Sequence, residues 1–221
     1  MPDGHAFVTK GYASTVRQLD TTRRRIAILY DKRQVEDDDM NHLYSALFLS
    51  LVTNFEGFLE DLFVGFLSQE IAPPTNVIPR AALESSSLAR EIVLGGENYA
   101  EWLPYRGTRK RCFAFFEGGR PFSLLREEQE HFLDNHVMII RNAIAHQSQY
   151  ALKKFENKVL SGLVLAPKER TPGGYLRSIH SGEATRYEYY AGELMGLATF
   201  LCTGPTETDK MLEPKQGPKL E

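Results

Sequence analysis

The chain has 221 residues and is 42% apolar, which is enough for one well-buried core and too little for a comfortable second domain. Its formal net charge of −3 excludes a global attraction for polyanions, so any nucleic-acid contact must come from local basic clusters. Its two cysteines, Cys112 and Cys202, lie far apart without metal-ligand spacing, which argues against a disulfide framework.

Two long helices are predicted in the first third of the chain. The first covers residues 13–33, with Ser14 and Thr15 as candidate N-caps. The second covers residues 38–69, after an acidic run that suits a helix N-terminus. Its polar and acidic interruptions exclude a membrane span, although one broad face is apolar. The side chains of that face are Leu47, Leu51, Phe55, Phe58, Leu59, Leu62 and Phe66.

The remainder predicts an insertion, a third long helix and a compact ending. Prolines and glycines punctuate residues 71–122, with short helices near 80–94 and 108–116. A third long helix covers residues 123–157, with Ser123 as its N-cap. Two β-rich runs, 175–180 and 185–190, predict a small hairpin, and a last helix covers 192–201.

These elements predict a mainly α fold, a bundle of four to six helices with a small β-hairpin near the C-terminus. Residues 1–203 form one domain in this interpretation, and residues 204–221 form a disordered tail. The polar residues 1–11 lack the apolar centre of a signal peptide, and the cysteine usage fits a reducing compartment. We therefore expect a cytoplasmic protein without membrane contact, cofactor or metal.

The third predicted helix carries the candidate site, in the stretch Arg141-Asn142-Ala-Ile-Ala-His146. On a helical wheel the apolar side chains cover one side, and an uncharged polar arc lies between Arg141 and His146. Asn and small residues in the arc are more typical of a groove or interface than of a solvated helix. A second match to the spacing, Arg126 to His131, shows that spacing alone carries little weight.

These residue types suit cleavage of RNA without a metal. A histidine titrates near neutrality and serves as acid or base, so His146 is the candidate for proton transfer. The permanent cation of Arg141 matches phosphate oxygens. Asn142 orients the imidazole or donates to a phosphate oxygen.

At these residues the chain resembles the HEPN superfamily, whose hallmark is an arginine, a polar residue and a histidine a few positions on. The stretch 54–62, Asn-Phe-Glu-Gly-Phe-Leu-Glu-Asp-Leu, is similar to an earlier helix of that family and loosely matches its acidic position at Glu56. The ending, residues 175–201, resembles bacterial HEPN endoribonucleases, with the RiboL-PSP type as a neighbouring possibility. Departures are Gln147, where many members have glycine, and the absence of a basic groove.

The resemblance implies a HEPN-like bundle that dimerises so that both motifs face one cleft. It also implies metal-independent endoribonuclease activity that leaves a 2′,3′-cyclic phosphate. The role it implies is that of a toxin or an anti-phage defence effector held by an antitoxin or immunity protein. The family's arginine, polar residue and histidine carry over to Arg141, Asn142 and His146.

Plainer interpretations stay open. Arg141 could form an ordinary salt bridge in which Glu56 orients it, and His146 could be a histidine in an interface. The chain could also be a non-catalytic module that binds a nucleotide or a protein through the same cleft. His136 falls on the core side of the wheel, and His131 shares the polar arc. Candidate RNA contacts are Arg109, Lys110 and Arg111, beside a phenylalanine cluster that equally suits core packing, and a second basic run is Arg23-Arg24-Arg25.

Overall fold

A computed structural model describes residues 4–74 and 77–204 of the chain. The prediction of a mainly helical fold with a small hairpin near the C-terminus is confirmed. The α-helices are α1 (Gly4–Asp31), α2 (Asp37–Ser68), α3 (Ser86–Leu94), α4 (Tyr105–Phe115), α5 (Glu127–Phe132), α6 (Met138–His146), α7 (Gln149–Lys158), α8 (Pro172–Arg177) and α9 (Arg186–Thr203). The strands are β1 (Ile179–Ser181) and β2 (Ala184–Thr185).

Helix α2 is the axis of the bundle and contacts α1, α3, α6, α8 and α9. It begins where predicted, because three aspartates lie in its first turn and the Asp39 carboxylate accepts a hydrogen bond from the Glu36 amide (3.1 Å). The predicted apolar face is buried in full. Burial of apolar surface stabilises a fold by about 25 cal/mol per Å², and α2 buries 15 residues, more than any other helix in the described part of the chain.

Helix α1 begins earlier than residue 13, so Ser14 and Thr15 lie inside it and are not N-caps. Tyr12 explains the extension, because its side chain is buried with ring-centroid distances of 5.8 Å to Phe55 and 5.5 Å to Phe58. The packing of this ring stabilises the part of α1 before residue 13, which lacks a clear apolar stripe of its own.

Residues 77–122 are part of the same core as the long helices. Phe63 of α2 has ring-centroid distances of 5.1 Å to Trp102 and 4.9 Å to Phe116. Tyr105 and Phe122 are also completely buried. The predicted short helices are confirmed with shifted bounds, as α3 and α4.

The third long helix, 123–157, was predicted wrongly as one element. Ser123 lies in a 3-10 turn, Phe122–Leu124, and is not an N-cap. A π-helical turn, Leu133–Val137, separates α5 from α6. Gln147 then adopts a left-handed conformation (φ 46°), which ends α6, and the Ser148 hydroxyl caps α7 by accepting from the Ala151 amide (3.2 Å).

The hairpin is smaller than predicted. It pairs Ile179 with Thr185 around a turn in which Gly182 has positive φ. Of the run 185–190 only Thr185 belongs to a strand, because Thr185 and Glu188 form a capping box that starts α9. The last helix therefore begins six residues before the predicted residue 192, and the 175–177 part of the other run lies in α8.

Within residues 4–74 and 77–204, the structure contains no helix that combines the length and apolar character needed to cross a membrane. The predicted tail lies outside the described residues beyond Gly204.

Candidate functional site

The Arg-Asn-x-x-x-His motif occupies the second half of α6. Its apolar neighbours Ile140, Ala143 and Ile144 are buried against the bundle and fix the rotation of the helix. Arg141 and Asn142 are half-buried as a result, and His146 is exposed as the last residue of the helix. The packing therefore sets three polar groups along one edge of the molecule.

Arg141 and Asn142 are joined by a hydrogen bond. Arg141 Nη1 donates to Asn142 Oδ1 at 3.0 Å. Since a guanidinium only donates, the amide must offer its oxygen to Arg141 and keep its N–H₂ group for another acceptor. Among the described residues no carboxylate lies within 4.0 Å of the Arg141 guanidinium, and it makes no second hydrogen bond. Both side chains therefore retain donors for an anion.

Glu56 lies in α2 beside this pair. Burial raises the pKa of its carboxyl group, against the opposing effects of the positive charge of Arg141 and a hydrogen bond from the backbone N–H of Leu103. The negative charge of Glu101 adds to the increase. The structure thus brings Glu56 into electrostatic range of Arg141 without a direct ion pair.

His146 has no hydrogen bond to any part of the chain that the structure describes, and its imidazole is open to solvent. Ala145, also exposed, leaves space beside it. A ring in this position is accessible to a substrate or to a second copy of the chain.

The predicted polar arc does not continue in register along the helix. The π-helical turn, in which the Met138 amide bonds to the Leu133 carbonyl, shifts the preceding residues relative to α6. Asp134 accepts hydrogen bonds from the backbone amides of Tyr105 and Arg106, and so caps α4. Asp134, which the helical wheel places in the polar arc beside Arg141, therefore has a structural role.

The other two histidines of this segment lie together before α6. The ring centroids of His131 and His136 are 5.8 Å apart, and His136 is half-buried against Phe132. Burial lowers the pKa of His136, and the neighbouring His131 adds to the decrease. The half-buried position of His136 agrees with its predicted place on the core side of the wheel.

The candidate RNA contacts on α4 are partly engaged. Arg109 forms an ion pair with Glu130 (2.9 Å), and Arg111 donates to the Glu101 carbonyl (3.1 Å) while it covers the Trp102 ring at 4.8 Å. Lys110 is exposed. Of the adjacent phenylalanines, Phe116 is fully buried, Phe115 is half-buried and Phe113 is exposed.

The other basic run is structural at its first two positions. Arg23 is 8% exposed and pairs with Asp20 (2.8 Å) and Glu188 (2.5 Å). Arg24 pairs with the same Asp20 at 2.7 Å. The pair with Glu188 fastens α1 to α9, and two of the three guanidinium groups have carboxylate partners.

Sequence reasoning missed the segment before α4 that contributes to the site. Leu103 and Glu101 act on Glu56 from a loop that is remote in sequence, and no periodicity connects them with α2. In the described part of the chain no group of three or more His, Cys, Asp or Glu side chains is arranged to hold a metal ion.

Comparisons of the chain with models of protein families, with curated proteins and with solved structures find no match.

Proposed function

We propose that this protein is a metal-independent endoribonuclease that acts as a homodimer, with Arg141, Asn142 and His146 as its catalytic residues. The observation that carries the proposal is the state of Arg141. It is a half-buried guanidinium without a carboxylate partner in the described residues, and it is five residues from an exposed histidine on the same helix. Arg23, Arg90, Arg109 and Arg177, by contrast, are ion-paired.

The reaction is an internal transfer within the RNA backbone. The 2′-oxygen attacks phosphorus and loses its proton to a base, and the bond from phosphorus to the 5′-oxygen breaks as that oxygen receives a proton from an acid. The products are a 2′,3′-cyclic phosphate and a 5′-hydroxyl. His146 transfers protons, and Arg141 with the free N–H₂ of Asn142 stabilises the charge on the phosphorane.

Glu56 acts on Arg141 as a positioning residue. A carboxylate in electrostatic range but outside ion-pair contact holds the guanidinium near α2 and leaves its donors free. A direct salt bridge would use the donors that a phosphate requires.

A second copy of the chain completes the site. The reaction needs a base and an acid at the same time, and a single imidazole supplies only one of them in a given step. His146 is exposed at a helix end, so the corresponding edge of a partner could bring a second imidazole to the same phosphate. A role as a toxin or anti-phage effector, held by an antitoxin or immunity protein, rests on the HEPN resemblance.

The test is cleavage of RNA by the purified protein in EDTA. Replacement His146→Ala should lower the rate by about 10²–10⁴-fold, the usual contribution of a general acid or base. His131→Ala is the matched control, since it removes the histidine of the second Arg-x4-His match and should leave the rate unchanged. Equal cleavage by wild type and His146→Ala would refute the proposal.

One observation favours the non-catalytic alternative. Arg109 and Arg111 are engaged by Glu130 and Glu101, so α4 offers less free positive charge than its sequence indicates. A module that only binds a nucleotide or a protein through the same edge would lose binding in Arg141→Ala, and the wild type would cut no RNA. Isothermal titration with a short RNA, followed by gel analysis of that RNA, separates the two functions.

A further inference from the structure

A separate cleft lies on the other side of the motif helix, at the start of α2. Its volume is about 350 Å³, within the range of small-molecule sites. The residues Ala143, Ile144 and Gln147 of the motif segment line it, whereas Arg141, Asn142 and His146 do not. The cleft is therefore distinct from the proposed RNA site, although both share one helix.

The two walls of the cleft differ in chemistry. One wall comes from α2 and presents Asp38, Asn41, His42 and Ser45, which follow the i, i+3, i+4, i+7 spacing of a single helix face. The opposite wall is mostly apolar, with Ile144, Leu152 and Pro172 among its residues. Such a site suits a ligand with one polar end and one apolar end.

An unsatisfied acceptor lies in the polar wall. Asn41 Oδ1 is buried and has no hydrogen-bond partner. A buried acceptor without a donor destabilises a fold, so a group that donates to it would remove that cost. Asn41 is also one of the residues that line the cleft, so this acceptor lies at the polar wall.

The polar wall favours a cation. No lysine or arginine lines the cleft. Arg177 and Lys168 pair instead with Asp37, the residue before Asp38, at 2.7 and 3.3 Å. Asp38 has no ion pair in the part of the chain that the structure describes, and Ser45, whose hydroxyl donates to the Asn41 carbonyl (2.9 Å), keeps its lone pairs as acceptors.

The wall is also rigid. Gly173, at the start of α8, packs directly on α2, and an added Cβ there would lie 2.7 Å from Ser45 Oγ and collide with the Asn41 backbone. The Asn41 backbone and the Ser45 side chain are therefore held in place before any ligand arrives, which reduces the entropy lost on binding.

We infer that this cleft binds a small organic cation, an ammonium group on a short alkyl body. The ammonium donates to Asp38 and Asn41, which lie one turn apart on α2, and the alkyl part lies against Ile144 and Leu152. The inference does not depend on RNA cleavage, and its test contains no RNA.

The test is calorimetric titration of the full chain with three probes of matched size: n-pentylammonium, n-pentanol and n-pentanoate. The cation should bind at least about tenfold more tightly than the alcohol, which corresponds to one charge-assisted hydrogen bond. The carboxylate should bind most weakly. Equal affinity for all three, or no binding of the cation at millimolar concentration, would overturn the inference.

Two variants locate the binding. Asp38→Asn should weaken n-pentylammonium by at least about tenfold. Glu128→Gln also removes one exposed negative charge from the first turn of a helix, in α5, and should leave the affinity unchanged. Equal losses in the two variants would indicate a general charge effect and would contradict the site. Thermal unfolding of each variant without ligand verifies that it is folded.

Discussion

The substitution Gln147→Gly should stabilise the protein, because Gln147 holds the left-handed conformation that ends the motif helix (φ 46°). An L-residue in this conformation costs about 1–2 kcal/mol, and glycine avoids that cost. The greater conformational freedom of glycine in the unfolded chain offsets about 0.5–1 kcal/mol of this gain in stability. The net gain is therefore about 0.5–1 kcal/mol, or roughly 1–4 °C in the unfolding midpoint of a chain of this size.

The sign of this effect distinguishes the broken helix from a continuous one. If the helix ran on through Gln147, glycine would lie in its interior and cost about 1 kcal/mol. Ala145→Gly is the matched control, because Ala145 is exposed and still inside α6. This substitution should destabilise the protein by up to about 1 kcal/mol. Urea unfolding of the three proteins measures the differences. A loss of stability in Gln147→Gly similar to that in Ala145→Gly would refute the break after His146.

Three further substitutions test the packing around the two sites. Asp134→Ala removes the side chain that caps α4 and should cost about 1 kcal/mol in urea unfolding; no loss would contradict the capping role. Gly173→Ala forces a Cβ into the backbone of α2 and should lower the free energy of unfolding by at least about 1–3 kcal/mol. Gly192→Ala on α9 is the control, because its added Cβ meets nothing within 4 Å and the change should be neutral or stabilising. Equal effects of the two substitutions would contradict the close contact at Gly173. Burial raises the pKa of Glu56 above 4.5, so its contribution to stability is greatest at low pH and is lost as the pH rises through the raised value. At pH 7, Glu56→Gln should therefore unfold at a higher temperature than wild type. Below about pH 4.5 the two proteins should unfold at nearly the same temperature. A difference that grows toward low pH would contradict the raised pKa of Glu56.

The sequence predicted best where one helix carries a long apolar face. Helix α2 has such a face from Leu47 to Phe66, so the bounds of the helix were correct within one residue and every residue of the predicted face is buried. The prediction of one continuous third helix failed because the apolar pattern runs through the π-helical turn and almost to the break at Gln147. Neither the turn nor the break is marked by a glycine or a proline. Ser148 was the available signal, as an N-cap in the middle of the predicted helix.

The candidate site was also predicted only in part from the sequence. The placement of Arg141, Asn142 and His146 on one edge follows from local helical geometry, which the sequence contains. The effects of Leu103 and Glu101 on the pKa of Glu56 come from a loop about 45 residues away, and proximity of that kind leaves no periodic signal in the sequence. The Thr185-x-x-Glu188 capping box was readable but was outweighed by the β-propensity of the tyrosines that follow.

The most direct test of the central claim is the identity of the ends that the protein leaves on RNA in EDTA. Internal transfer through Arg141, Asn142 and His146 predicts a 2′,3′-cyclic phosphate and a 5′-hydroxyl, both visible by mass spectrometry of the fragments. It also predicts no cleavage of DNA of the same sequence, because the attacking 2′-oxygen is missing. Fragments with a 5′-phosphate, or equal cleavage of DNA, would contradict the account.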